Sequence, residues 1–149
     1  MITNRGKYVL LRIALSNQGA PTTWYAALCT NATPPTVDTN TLGQLTEIAA
    51  GNGYTSGGIA IERSSTGWPT FTEDDSGDLA KAIAKQLVYT ASGGNLPSSG
   101  SGARWAVLTD DNATVANRQV IAAWQLAGDR IVTAGNAITV SNSEIRATE

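Results

Sequence analysis

The stretch Thr22-Thr23-Trp24-Tyr25-Ala26-Ala27-Leu28-Cys29-Thr30 marks a change of period along the chain. Before it, apolar residues recur at helical spacing. From residue 22 onward they alternate with polar ones, or run in short blocks bounded by turn residues, which is the pattern of strands. Its length suits a core strand. Upstream, Tyr8, Leu11 and Leu15 fall on one stripe of a short helix, while Arg5, Arg12 and Asn17 can point away from it. Thr3 or Asn4 is placed to cap the helix, and Gln18-Gly19-Ala20-Pro21 to stop it. Arg5 and Lys7 ahead of this run mimic a signal peptide, but Arg12 interrupts it and no stretch approaches the ~20 apolar residues of a membrane span. No membrane partner is expected.

Downstream, residues 31–40 are rich in Pro and Asn and read as a loop. Residues 41–49 read as a short helix or irregular turn with Leu42, Leu45 and Ile48 facing inward. Gly51-Asn52-Gly53-Tyr54-Thr55-Ser56-Gly57-Gly58 resembles a phosphate-cradling loop only superficially. It lacks the following Lys-Ser/Thr and a helix pattern, so it reads as a glycine-permitted turn. Further strands are expected at 59–64, 68–72, within 79–91, and at 103–108, 119–126, 130–132 and 137–146. The segments between them, including Glu73-Asp74-Asp75-Ser76-Gly77-Asp78, residues 92–102, Asp110-Asp111-Asn112 and Ala127-Gly128-Asp129, have turn compositions. Leu79, Ile83 and Leu87 also lie at helical spacing, so residues 78–86 stay open between helix and strand. Residues 84–91 read as strand on the strength of Val88-Tyr89-Thr90. About eight strands without helical crossovers predict an all-β fold, an antiparallel β-sandwich or jelly-roll-like domain over 21–149 behind a helical segment at 1–20, in a single domain.

Composition narrows the function. The 149 residues carry ten basic and twelve acidic side chains, a net charge of −2. The broad cationic surface that duplex nucleic acid rewards is therefore missing, and no nucleic-acid partner is expected. The chain has no histidine, which removes the Ser-His-Asp triad, the Cys-His pair and imidazole-bound zinc. The lone Cys29 lies in an apolar run with no cationic neighbour in sequence, and reads as a small core hydrophobe. Two acidic clusters, Glu73-Asp74-Asp75 with Asp78 and Asp110-Asp111 with Asp129, lack the spacing of a calcium loop and read as solvated turns, with calcium binding by one of them left open. Trp24, Trp68, Trp105 and Trp124 fall on or beside expected strands and read as core plugs, with sugar stacking by an exposed one left open. Neither a catalytic residue nor a cofactor or metal site is assigned.

The order of the pieces carries a resemblance. Thr3-Asn4-Arg5-Gly6 opens an apolar helix, followed by Trp24-Tyr25-Ala26-Ala27-Leu28-Cys29-Thr30, a loop with Pro34-Pro35-Thr36, and Gly53-Tyr54. In the second half come Tyr89-Thr90-Ala91-Ser92-Gly93-Gly94-Asn95-Leu96-Pro97-Ser98-Ser99-Gly100, Ala106-Val107-Leu108-Thr109-Asp110-Asp111, and Asp129-Arg130-Ile131-Val132 leading into the closing strand. In this order the chain resembles small virion proteins of tailed bacteriophages. The resemblance implies a non-enzymatic virion component made in the bacterial cytoplasm. First in rank is a capsid decoration, or cement, protein on the outer head surface, with the major capsid protein and further copies of itself, as a homo-oligomer such as a trimer, for partners. A tail component is the alternative, and a carbohydrate-active enzyme fragment the reading from a different class. Tyr8, Leu11, Arg12 and Leu15 are the candidate contacts with the capsid or a neighbouring subunit.

Overall fold

In the computed structural model, which describes residues 1–148, the chain forms one helix and nine strands. Helix α1 spans Asn4–Ser16. The strands are β1 (Thr23–Cys29), β2 (Ile59–Glu62), β3 (Thr70–Asp74), β4 (Leu79–Ile83), β5 (Leu87–Thr90), β6 (Ala103–Thr109), β7 (Val120–Arg130), β8 (Ala137–Val140) and β9 (Glu144–Thr148). They are all paired antiparallel, in a four-stranded sheet ordered β2-β1-β6-β7, a three-stranded sheet β3-β4-β9 and a two-stranded ribbon β5-β8. The four-stranded sheet is one layer of a sandwich. The other layer is α1 with the two smaller sheets, as the expected all-β class requires.

Strand β1 sits at the centre, between β2 and β6, and is apolar on both faces because both are covered. Trp24, Ala26 and Leu28 point to the main core, with Ile61, Leu108 and Ile121 of the same sheet. They meet Val9 of the helix and Leu87, Tyr89, Ile138 and Val140 of the ribbon. Burial of each large side chain contributes about 1.5 to 3 kcal/mol. On the opposite face Ala27, Cys29, Val107 and Val120 pack beneath Leu42 and Val115, which two short 3-10 turns, Leu42–Gln44 and Val115–Asn117, lay over the sheet. Cys29 is the core filler its sequence neighbours suggest: burial, then the charge of Glu47, pushes its thiol up to about 12.

The strand boundaries differ from expectation chiefly in five places, one being the strand expected at 130–132: Arg130 ends β7 and Val132 makes only an isolated bridge to Leu96. The segment 78–86, open between helix and strand, is strand from Leu79 to Ile83, but 84–86 is not. There the amides of Ala84 and Lys85 leave the sheet to bond the carbonyls of Ser143 and Gly67. The expected strand 137–146 breaks opposite this point, at 141–143, so β4-β9 and β5-β8 form one long ribbon bent at a shared corner. Glu73 and Asp74 belong to β3, which begins at Thr70 rather than residue 68, and only 75–78 form the turn. Finally, Ala127-Gly128-Asp129 is strand, not turn. Strand β7 continues to Arg130, which pairs with Ala103, while Gln125 pairs with Trp105. The extra β7 residues are therefore absorbed as a bulge.

The acidic turns act as local caps. Oδ2 of Asp111 accepts hydrogen bonds from the Thr22 amide at 2.7 Å, the Thr22 hydroxyl at 2.8 Å and the Thr23 amide at 3.4 Å, tying the chain beyond β6 to the entrance of β1. Burial works to raise the Asp111 pKa, but these bonds outweigh it and hold the carboxyl below its ordinary value. The carboxylate thus contributes stability above its unfolded pKa of about 3.9, and that contribution is lost as pH falls through the lower folded value. Asp111→Ala is expected to cost about 1 kcal/mol at pH 7, with the gap to the parent closing in acid. Urea titrations at the two pH values check this, and equal stability at pH 7 would reject the capping role.

Candidate functional site

Helix α1 is held to the sandwich by its first turn. The Thr3 side chain accepts from the Gly6 amide at 2.8 Å as the N-cap, and its hydroxyl donates to the Val120 carbonyl at 2.6 Å. The Thr3 amide bonds the Ile121 carbonyl, and Met1 the Ala123 carbonyl through its amine. Gly6 is required here, because any Cβ would overlap the Ile121 carbonyl. Of the two capping residues the sequence offered, Thr3 is the one used. Asn17 closes the helix in the left-handed region at φ 51°.

The face that packs on the core is Gly6, Val9, Leu10 and Ile13, at i, i+3, i+4 and i+7. The stripe Tyr8, Leu11 and Leu15 lies on the opposite side and is exposed by 52%, 59% and 83%. Covering the core and presenting an apolar stripe are thus tasks of two different faces of one helix. The second set was readable in the sequence, since 6, 9, 10 and 13 is the more complete helical repeat. Arg5 and Arg12 do not point away from the stripe: both guanidinium groups stack against the Tyr8 ring, at 5.6 and 5.4 Å from its centroid. With residues 100° apart around the axis, Lys7 flanks the stripe on one side and Arg5 and Arg12 on the other. The helix carries three cations and no acidic residue.

A second exposed surface, not anticipated from sequence, lies on the three-stranded sheet. The register aligns Phe71, Ala82 and Ile145 in one row, and Glu73, Ala80 and Ala147 in the next row outward on the same face. The inner row closes an apolar groove of about 300 Å³ whose other walls are Leu10, Trp24, Trp68 and Leu108. Trp68 is 8% exposed and its indole N–H is buried without a hydrogen-bond partner. The outer row overhangs the core and floors a trough of about 1140 Å³ rimmed by Asp74, Asp75 and Asp78. Phe71, between the two, is 75% exposed.

The other residues singled out by sequence serve the fold. Trp24 and Trp68 are buried core plugs, while Trp105 and Trp124 are half-buried and donate to Asn31 at 3.1 Å and to the Glu144 carbonyl at 2.8 Å. The glycine-rich turn is pinned by Glu47, which accepts from the Tyr54 hydroxyl at 2.5 Å, Ser56 at 2.7 Å and the Gly57 amide at 2.5 Å. Tyr54 also accepts from the Leu28 amide, and burial, reinforced by Glu47, drives its pKa upward so that the phenol stays protonated. Asp110 accepts from the Gln119 amide at 2.9 Å and Asp74 from Ser76 and Gly77. Among the described residues, no three His, Cys, Asp or Glu side chains converge as a metal site would need, and no helix is long and apolar enough to cross a membrane. What the two exposed surfaces can do chemically is bind another macromolecule, through apolar contact flanked by charge.

No family model matches the chain, and no curated protein is significantly similar to it.

Proposed function

We propose that this chain is a structural protein of a tailed-bacteriophage virion, in first place a decoration protein of the head, and that it acts by contact without a catalytic step. The observation that carries the reading is the apolar stripe Tyr8, Leu11 and Leu15, presented on a helix whose opposite face is fixed to the core. An apolar stripe facing water on a rigid support is a feature of an interaction site. The order of sequence motifs, which resembles that of small phage virion proteins, suggests the setting. Low charge density and the open edges of β3 and β9 favour a molecule that works among neighbours. A cement protein gains avidity by touching several capsid subunits at once, so modest single contacts suffice. Tyr8, Leu11, Arg12 and Leu15 are the contact residues in this reading, toward the capsid or a second copy.

The test is the copy number of the chain in purified particles, by quantitative mass spectrometry against the major capsid protein. A ratio near one to one is the expected result. A ratio far below it moves the chain to the tail or neck, and absence from washed particles overturns the virion reading.

A further inference from the structure

The two exposed surfaces are opposite in kind. The outer face of α1 is apolar along Tyr8, Leu11 and Leu15 and cationic on both flanks through Arg5, Lys7 and Arg12. The overhanging face of β3-β4-β9 is a trough floored by Phe71, Ala80, Ala82 and Ala147 and rimmed by Glu73, Asp74, Asp75 and Asp78. Small residues along a sheet let a helix approach closely, and acidic rims match a helix with basic flanks. Lys81 also lines the trough, and its charge is one of the influences that lower the Asp74 pKa. The trough thus carries four carboxylates against one ammonium group and stays net negative.

We infer that the trough receives helix α1 of a second copy of this chain, with Leu11 and Leu15 on its alanine floor against Phe71 and the helix cations facing Glu73, Asp74, Asp75 and Asp78. Asp74 is held ionised for this by the turn it caps: its carboxyl accepts from the Ser76 hydroxyl and from the Ser76 and Gly77 amides, and its pKa is lowered. Each copy carries both surfaces, so each gives a helix and takes one. The inference rests on the contact reading of the helix stripe and assigns that stripe to a neighbouring subunit; it does not depend on the virion setting.

The experiment is the solution mass of the full chain by light scattering over a concentration series, with variants at exposed positions. The parent is expected at a multiple of 15.5 kDa. Leu11→Glu with Leu15→Glu is expected to weaken association at least about tenfold, as loss of central apolar anchors does. Val88→Glu, at an exposed apolar residue away from both surfaces, leaves it unchanged. Lys7→Glu with Arg12→Glu, and separately Glu73→Lys with Asp75→Lys, dissociate the assembly, and mixing the two charge-reversed proteins restores it. Circular dichroism confirms that each variant is folded. A monomeric parent at high micromolar concentration, an unchanged mass for the Leu11/Leu15 variant, or failure of the mixed charge variants to reassociate overturns the inference. A monomer that is nonetheless abundant in particles removes the self-contact and leaves the virion reading standing; an assembly absent from particles does the reverse.

Discussion

Gly58→Ala is expected to abolish folding, or to destabilise the chain by more than about 4 kcal/mol, a loss characteristic of special backbone positions. Two costs coincide at this residue. Its φ of +77° is strained for any L side chain, which alone costs about 1 kcal/mol. The added methyl would also overlap the Ala26 carbonyl, which is fixed in the centre of β1. That carbonyl has no room to give, since it accepts the buried Tyr89 hydroxyl at 2.8 Å and thereby ties β1 to β5. Moving it would disturb the Ala26–Ile59 pairing of β1 with β2 and unpartner a buried phenol together. Gly93→Ala is the control. Gly93 has nearly the same φ, +79°, with nothing within 4 Å of the new methyl, so it should lose only the conformational term. Denaturant midpoints of the two variants separate dihedral strain from contact, and similar losses at the two sites would refute the steric account.

Glu47→Ala is expected to cost about 3 kcal/mol, because it strands the Tyr54 hydroxyl and the Gly57 amide, each a buried or half-buried donor worth about 1 to 3 kcal/mol when unpaired. The Ser56 hydroxyl can turn to water and contributes little. The damage reaches beyond the turn, because Tyr54 accepts from the Leu28 amide in the centre of β1 and packs against Tyr89 with ring centroids 6.1 Å apart. For a chain of this size the loss corresponds to a fall in melting temperature of about 10 °C. Glu47→Gln, which keeps an acceptor, should lose only about 1 kcal/mol. Calorimetry decides the matter, and a Glu47→Ala midpoint within a degree of the parent's would remove the glutamate from its place as the pin of the loop.

These two positions show how unevenly the sequence can be read. Its period change at residue 22 reveals the helix, the central strand β1 and the all-β class, since hydrophobic spacing follows directly from which face is covered. Thr3 as cap is readable because capping chemistry is local. The long-range partner of Glu47 is not, for nothing in Glu47's neighbourhood tells that its carboxylate closes a turn ten residues on. The bend shared by 84–86 and 141–143 was half hidden. Nothing in Ala84-Lys85-Gln86 marks the switch of the Ala84 and Lys85 amides to Ser143 and Gly67, whereas Ser141-Asn142-Ser143 is a wholly polar triplet in which Asn142 turns left-handed at φ 54°. Ala127-Gly128-Asp129 has turn chemistry in isolation, but cross-strand pairing of Arg130 with Ala103 turns it into a bulge. At the candidate surface, sequence placed Tyr8, Leu11 and Leu15 together correctly and misjudged Arg5 and Arg12, whose stacking on Tyr8 depends on rotamers. The trough was invisible, since it is made of alanines whose alignment exists only through the register of three strands.

The corner in the β4-β9 and β5-β8 ribbon has a mechanical consequence. Both strands of the overhanging part run without interruption of the covalent chain into the part that carries Leu87, Tyr89, Ile138 and Val140, all buried in the main core. A tug on the overhang is therefore transmitted along two backbones in parallel, and the overhang cannot be torn away without drawing those four side chains into water. Whatever grips the outer rows of this sheet is moored to the interior of the molecule, much as a cleat is bolted through a deck.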